Sequence, residues 1–277
     1  MPLVGSDLLV AARSQRVGIG AFNVIGIEHA EALTAGATAA TSPVILQISE
    51  NAARYHHGLA PIGLATLEIA RRATVPVVVH LDHATDEALI DEAISLGFTS
   101  VMYDGATLDY AENLARTADV VRRTHAAGVW VEAELGEVGG KDGAHAPGVK
   151  TDPADAATFV AATGVDALAV AVGSSHAMTQ RTAELDLDRI SEIAAAVSIP
   201  LVLHGSSGVS DRTIVDGIRA GLTKINVSTH LNTVFSTALR DHLAADPAVV
   251  DPRKYLSAAR AALADEVTRL IGIIGGG

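Results

Sequence analysis

Three histidines, His83, His176 and His204, follow apolar segments at widely separated points of the chain. The first belongs to "VPVVVHLDHA", a buried-looking run that begins at Val75 and ends in imidazole and carboxylate groups. A lone histidine at such a place is more often a hydrogen-bonded core residue, but three at corresponding positions favour a metal site. Three imidazoles leave a fourth position on zinc for water or substrate, which is the pattern of a catalytic site. The chain has no cysteine, so a tightly held metal needs His, Asp or Glu ligands.

Carboxylates accompany these histidines. Asp82 directly precedes His83, where a cation would keep it ionised and able to take or give a proton on a bound hydroxyl. Its alternative role is to orient a histidine or to cap the following helix. Asp104 and Glu134 end two other apolar segments, and they either bind metal or orient the ligands. His80, two residues before Asp82, is assigned an orienting or packing role.

The elements that must position these groups alternate along the chain. Short β-branched runs are separated by Ala-rich amphipathic stretches that begin at Ser, Thr or Asp and end at Gly. The strands read as continuous apolar runs, as expected when both faces are covered. The pattern predicts a single-domain (β/α)8 TIM barrel over residues 1–277, with a doubly wound open sheet as the alternative. The predicted strands are 17–23, 43–49, 76–82, 98–104, 129–134, 166–173, 200–204 and 222–226.

Every predicted strand ends in a polar or ionisable residue. The carboxyl ends of barrel strands converge on one face, where enzymes of this fold keep their active sites. Such regularity would not arise from polar residues scattered at random, so it indicates one polar site built from all strands.

Two small, hydroxyl-rich turns follow the last two predicted strands. They read "HGSSGVSD" from His204 and "NVST" from Asn226. Loops at these barrel positions commonly bind phosphate through backbone N–H groups at helix N-termini. The glycine-rich stretch near 136–152 is predicted to be a mobile lid, or else a surface loop without a role. A helical extension is predicted near 253–271.

Composition limits the partners. The formal net charge is −12, which makes nucleic acid or an anionic membrane surface an improbable partner. No apolar run reaches the roughly 20 residues of a membrane span, and no basic-then-apolar block opens the chain. We therefore expect a cytoplasmic protein.

The motifs "AFNV", "SPVILQISE", "HLDHA", "VEAELGEVGG", "TDP", "LHGSSGV" and "KINVST" occur in this order, followed by "DPRKYL". Together they resemble the class II, metal-dependent fructose/tagatose-bisphosphate aldolases, from about Gly20 to Leu256. The resemblance implies reversible cleavage of a ketose 1,6-bisphosphate to dihydroxyacetone phosphate and glyceraldehyde 3-phosphate. It also implies one zinc ion per chain, a monovalent cation (Na⁺ or K⁺) and a homodimer or homotetramer.

The resemblance assigns roles residue by residue. It implies that His83, His176 and His204 bind zinc, that Asp82 exchanges the proton of the C4 hydroxyl, and that Asp104, Glu132 and Glu134 are acidic residues near the metal. Asn226 is placed with the catalytic residues. The implied substrate-binding residues are Asn23, Ser49, Gly205, Ser207, Gly208, Ser228 and Thr229.

The sequence departs from the family pattern at four places. The segment "GGKDG" lacks the usual lid glutamate, for which Asp142 is the substitute candidate. Ala177 and Ser206 stand where small glycine-type residues are usual, and His230 replaces an acidic residue. These departures leave open fructose, tagatose or another phosphorylated ketose as substrate. Arg253 and Arg260 are candidates for the far phosphate, or are solvated surface residues.

Two other functions fit the bare chemistry. A zinc hydrolase would use metal-bound hydroxide, but hydrolase barrels commonly place paired histidines on the first strand, which here ends in Asn23. A non-catalytic sugar-phosphate-binding relative would keep the pocket and lack turnover.

Overall fold

The computed structural model describes residues 3–5, 7–135 and 150–276. Within them, parallel strands β1 to β8 pair in sequence order, and β8 pairs with β1 to close a barrel. This confirms the single-domain (β/α)8 barrel and excludes the open sheet. The strands are β1 Ile19–Asn23, β2 Val44–Ser49, β3 Val77–Ala84, β4 Ser100–Tyr103, β5 Trp130–Leu135, β6 Ala167–Val170, β7 Leu201–Leu203 and β8 Leu222–Val227.

Helices cover the outside of the barrel. One helix precedes β1, and a long helix closes the described chain. The helices are α1 Asp7–Gln15, α2 Ile27–Ala39, α3 Glu50–Tyr55, α4 Leu59–Arg72, α5 Glu87–Leu96, α6 Tyr110–Ala126, α7 Pro153–Thr163, α8 Leu187–Ala196, α9 Asp211–Ala220, α10 Thr229–Ala245 and α11 Pro252–Ile274, with a short 3-10 helix at Ser206–Gly208. None of the described helices is long and apolar enough to cross a membrane.

Side-chain caps set several helix starts. Asp109 accepts from the N–H of Glu112 at 2.9 Å, and Ser210 accepts from that of Thr213 at 3.1 Å, which satisfies N–H groups without an intrahelical partner. The start signal at Thr85 was wrong by one residue, because Asp86 caps α5 by accepting from Ala88 N–H at 2.9 Å. Thr85 instead donates its backbone N–H to Glu50 at 2.6 Å.

The sixth strand is shorter than predicted. It ends at Val170, and Ala171 exchanges backbone contacts with Thr151 instead: Thr151 N–H donates to Ala171 O at 3.0 Å. The Thr151 hydroxyl in turn donates to Leu135 O at 2.8 Å. An apolar run therefore continues past the strand because a loop segment, rather than a neighbouring strand, takes over its backbone.

The last helix, α11, packs across α2 on the outside of the barrel. A Cβ atom at Gly36 would lie 2.7 Å from the carbonyl oxygen of Ala264 and from Val267, so only glycine permits this approach. The Thr268 hydroxyl donates to Gly36 O at 3.2 Å. This contact fixes α11 beside the carboxyl-terminal half of the barrel, where it reaches α9 and α10.

Candidate metal centre and active site

Four side chains from β3, β5 and the loops after β6 and β7 converge at the mouth of the barrel. His83, Glu134, His176 and His204 each offer one ligand atom, and all four atoms lie within 4.8 Å of one another. The ring centroids of the three histidines are 4.6, 5.2 and 5.7 Å apart. Glu134 and His204 are buried, and the other two are partly exposed. Three imidazoles with a carboxylate are a donor set suited to zinc and similar divalent ions.

A local change of backbone brings His83 into this group. In a regular strand, Asp82 and His83 would point to opposite faces. His83 has φ +51°, a left-handed conformation that is uncommon outside glycine, and the pairing of β3 with β4 shifts register between Leu81 and Ala84. This irregularity turns the imidazole toward the mouth while Asp82 keeps its place in the strand.

Asp104 lies behind His83 rather than in the group of four. His83 Nδ1–H donates to Oδ2 of Asp104 at 2.8 Å. An ionised carboxylate only accepts, so this contact places the proton on Nδ1 and leaves the Nε2 lone pair as the donor to a metal. The structure thus gives Asp104 an orienting position, which was one of the two roles considered for it.

His204 stands between two glutamates. Its Nε2–H donates to Oε1 of Glu132 at 3.0 Å, and its Nδ1 lies 3.0 Å from Oε2 of Glu134. Burial favours the neutral ring, but the hydrogen bonds to the two carboxylates outweigh it and raise the pKa of His204 to about 9. Without metal the ring is therefore an imidazolium, and a metal must displace its Nδ1 proton.

A buried ionic layer lies beneath the mouth. Lys224 on β8, 1% exposed, donates from Nζ to Oε2 of Glu132 at 2.6 Å. His80 bonds to the Ser100 hydroxyl at 2.8 Å, and its Nε2 is 3.5 Å from the same Nζ. Burial, then the Lys224 charge, lowers the pKa of His80 to about 3, so the ring is neutral and accepts from the ammonium group. The layer anchors Glu132 and, through it, His204.

Asp82 is 2% exposed and lies between this layer and the metal ligands. Gln47 Nε2 donates to its Oδ2 at 3.4 Å and to Asn23 Oδ1 at 2.8 Å. The other carboxylate oxygen, Oδ1, has no hydrogen-bond partner within the described part of the chain. Burial opposes ionisation, but the charges of His83 and Lys224 outweigh it and lower the pKa of Asp82. The carboxylate is therefore ionised at neutral pH.

Two residues of this network, Gln47 and Lys224, were missed from the sequence. Each is a single long polar residue inside an apolar strand, in "VILQIS" and "LTKINV". A polar side chain there must find a buried partner, so the signal was present. Attention to strand ends alone passes over it.

Gly205 explains how His176 and His204 come together. It has φ +67°, and a Cβ atom there would lie 2.5 Å from the backbone carbonyl group of Ser175. The Ser174 hydroxyl donates to His204 O at 2.6 Å across the same contact. The turns after β6 and β7 therefore touch through their backbones, which glycine alone allows.

The two turns predicted to bind an anion also meet. The Ser207 hydroxyl oxygen accepts the backbone N–H groups of Ser228 at 3.4 Å and His230 at 3.2 Å. Ser206 Oγ donates to Asn226 O, and Asn226 Oδ1 is buried without a partner in the described segments. Gly208 and Thr229 lie in the same two turns, in the 3-10 helix and at the start of α10. Ser49, at the end of β2, accepts from Ala52 N–H at 3.2 Å as the cap of α3.

Other predicted residues are not brought to the mouth. Arg253 pairs with Asp251 at 2.8 Å on an exposed helix start, and Arg260 pairs with Glu31 on α2. Asp142 and the lid prediction over 136–149 lie outside the described residues.

Comparison with known proteins agrees with this geometry. The family model described as fructose-bisphosphate aldolase class-II matches residues 5–276. The chain belongs to the class II fructose-bisphosphate aldolase family. It is therefore an aldolase, a lyase that breaks a carbon–carbon bond.

Individual members of the class II aldolase family cover almost the whole chain. A probable fructose-bisphosphate aldolase of Bacillus subtilis (strain 168) is 40% identical, over 96% of this chain and 95% of its own length. A fructose-bisphosphate aldolase of Staphylococcus aureus (strain Mu50) is 39% identical over the same shares. The crystal structure of the YdjI aldolase from Escherichia coli K12 superimposes with TM-score 0.86 at 31% identity, over 96% of this chain and 95% of that one.

Proposed function

We propose that this aldolase is zinc-dependent and reversibly cleaves a ketose 1,6-bisphosphate of the fructose or tagatose type. The products would be dihydroxyacetone phosphate and glyceraldehyde 3-phosphate. One observation supports this most directly: three imidazoles and Glu134 converge beside Asp82, whose buried Oδ1 has no partner within the described residues. A metal position and an ionised carboxylate side by side are what a metal-assisted aldol cleavage needs.

The residues present fit a divalent metal. His83, His176 and His204 would hold it, with Glu134 within reach as a fourth ligand. Asp104 and Glu132 fix the proton positions of two of these rings from behind. When bound, the zinc supplies Lewis-acid polarisation of the substrate ketone.

Asp82 is the proposed base for cleavage. Its Oδ1 would take the proton of the C4 hydroxyl, whose loss lets the C3–C4 bond break, and would return it during synthesis. Gln47 binds the other oxygen, so the carboxylate is held in one orientation. The neighbouring imidazoles and Lys224 keep it ionised, so it is ready to accept a proton at neutral pH.

The rest of the mouth would bind the three-carbon fragment. Asn226, with its buried amide, is placed to donate to a substrate oxygen that gains negative charge as the bond breaks. Ser207 accepts two backbone N–H groups, so its own O–H is available to a phosphate oxygen. Backbone N–H groups of Gly205, Gly208, Ser228 and Thr229 would complete the cradle. Asn23 and Ser49, at the ends of β1 and β2, would contact the substrate from the other side.

The test is a substrate panel on the purified protein with its metal, after thorough chelation, and after zinc is added back. We expect cleavage of fructose or tagatose 1,6-bisphosphate, loss of activity on chelation and its return with zinc. Monophosphates such as fructose 1-phosphate belong in the panel, because the departures at Ala177 and His230 lie beside the turns. Activity that survives metal removal would exclude this mechanism. Metal-dependent substrate binding without turnover would identify a binding relative instead.

A further inference from the structure

A chain of ion pairs runs along the outer side of the two phosphate-binding turns. His230 Nε2 is 2.6 Å from Oε1 of Glu266, whose carboxylate also binds Arg269 at 2.7 and 2.8 Å. Arg269 continues to Asp211 Oδ2 at 2.5 Å, and Asp211 Oδ1 is 2.5 Å from Arg181. Four separate parts of the fold are joined in this way: α10, α11, α9 and the segment before α8.

Both ends of the ionic chain are attached to the turns themselves. At one end, the backbone N–H of His230 donates to the Ser207 hydroxyl. At the other, Arg181 Nε donates to Val209 O at 2.8 Å, directly after the 3-10 helix. Asp211 is the first residue of α9, so the helix behind the first turn is held from the middle of the chain.

The first turn of α10 depends on this arrangement because it lacks a cap of its own. Its N-cap residue, Ser228, makes no side-chain cap hydrogen bond, and its backbone has φ −131° and ψ −70°. The N–H groups that a cap would satisfy are given instead to Ser207, which belongs to the neighbouring turn. Any movement of α10 would therefore change the distance between the two turns.

We propose that His230, through its pair with Glu266 on α11, is a positioning residue that sets the spacing of the two phosphate-binding turns. This inference rests on the proposed function. Isolated exposed ion pairs contribute little, but here each charge shares partners with the next, and the side chains of His230 and Glu266 are only 26% and 17% exposed. The role is distinct from catalysis, because neither side chain bonds to the metal ligands, Asp82 or Asn226 in the described contacts.

The experiment measures kcat and KM for the ketose bisphosphate cleaved by the zinc-loaded wild-type protein. In His230→Ala and in Glu266→Ala we expect KM to rise about tenfold with kcat within about twofold, because binding geometry is disturbed and proton transfer is not. The double variant should be no worse than either single one, since both remove the same contact. His230→Gln, whose amide nitrogen can reach Glu266, should recover most of the affinity.

His125→Ala is the matched control. His125 pairs with Asp166 at 2.8 Å, a contact of the same type at the other end of the barrel. Its removal should leave both constants unchanged. The proposal is overturned if His230→Ala changes KM less than about twofold, if kcat falls in parallel, or if the two single effects add in the double variant.

Failure of the proposed function would be visible separately. If wild-type protein cleaves no ketose phosphate, binding of inorganic phosphate by calorimetry replaces the kinetic readout. Weaker phosphate binding in His230→Ala and unchanged binding in His125→Ala would then support the positioning role alone. If wild-type protein binds no phosphate, or if both variants bind it as wild type does, the positioning role is excluded.

Discussion

His83 Nδ1 donates to Asp104 Oδ2 at 2.8 Å, across the gap between β3 and the loop after β4. The imidazole is the only one of the three whose own residue has a left-handed backbone, with φ +51°. A ring carried on so irregular a backbone needs an external contact to fix its tautomer and rotation. The Asp104 carboxylate supplies that contact from behind the ring.

We expect Asp104→Asn to weaken zinc binding by about tenfold to a hundredfold while the fold is retained. The amide can present its NH₂ group to Nδ1 and thereby favour the wrong tautomer, with the proton on Nε2. Competition with a chromophoric chelator measures the zinc affinity. Equal affinity in the variant and in wild type would show that Asp104 does not orient the ligand.

Asp82→Ala should keep zinc but lose at least about a hundredfold in the rate of cleavage, the usual size of a proton-transfer contribution. The reason is that the group of four ligand atoms does not include Asp82, whose Oδ1 is instead available for a proton. Metal content and steady-state rate are measured on the same preparation. Turnover near the wild-type rate in a zinc-loaded sample would rule out the assigned role.

Gly205→Ala should damage the metal site, and Gly128→Ala is its matched control. Both glycines have similar left-handed φ values, +67° and +72°. A Cβ at 128 meets nothing within 4 Å, so that variant loses only about 1–2 kcal/mol through backbone strain. A Cβ at 205 would also meet the Ser175 backbone at 2.5 Å and push the turn of His176 away. We expect a larger loss of unfolding free energy and weaker zinc binding for Gly205→Ala alone. Equal behaviour of the two variants would contradict this.

The barrel and the three histidines could be predicted because the signals are local. An apolar run followed by an imidazole identifies a strand end, and parallel barrel strands bring their ends together. The conformation of His83 could not be predicted, since strand alternation places neighbouring side chains on opposite faces. Gln47 and Lys224 were visible as polar residues in apolar strands, but only coordinates show which buried groups they bind.

The ionic chain was beyond prediction for a different reason. Its members are separated by 36 residues between His230 and Glu266 and by 58 between Asp211 and Arg269. Each lies on the polar side of a helix, where charged residues are usual and carry no pattern of their own. Their pairing depends on how α11 packs across the barrel, which is set by close contacts such as that at Gly36.

Acid should destabilise the protein partly through this ionic chain. Burial favours the neutral acids, but Arg269 with His230, and Arg269 with Arg181, lower the pKa values of Glu266 and Asp211 below 4.5 and 3.8. Groups with a lowered folded-state pKa add stability above their unfolded values, and this is lost as the pH falls through the folded-state values. The unfolding free energy, measured in urea from pH 6 to pH 3, should therefore fall less steeply in Glu266→Gln than in wild type. Parallel curves would show that the pair does not contribute.

The buried pair of Lys224 and Glu132 should behave differently from any surface pair. Both side chains are 1% exposed, and Nζ to Oε2 is 2.6 Å.

Lys224→Met removes the cation and leaves the Glu132 carboxylate buried with less compensation, so we expect a loss of about 3–5 kcal/mol in unfolding free energy. Lys224→Met combined with Glu132→Gln removes both charges and should recover a large part of that loss, because no uncompensated charge remains. Zinc binding separates the two effects. The double variant loses the carboxylate that accepts from His204 Nε2, so its zinc affinity should stay low while its stability returns. Denaturant unfolding and zinc titration on the three proteins measure this, and a double variant as unstable as Lys224→Met would mean that volume, rather than unpaired charge, causes the loss.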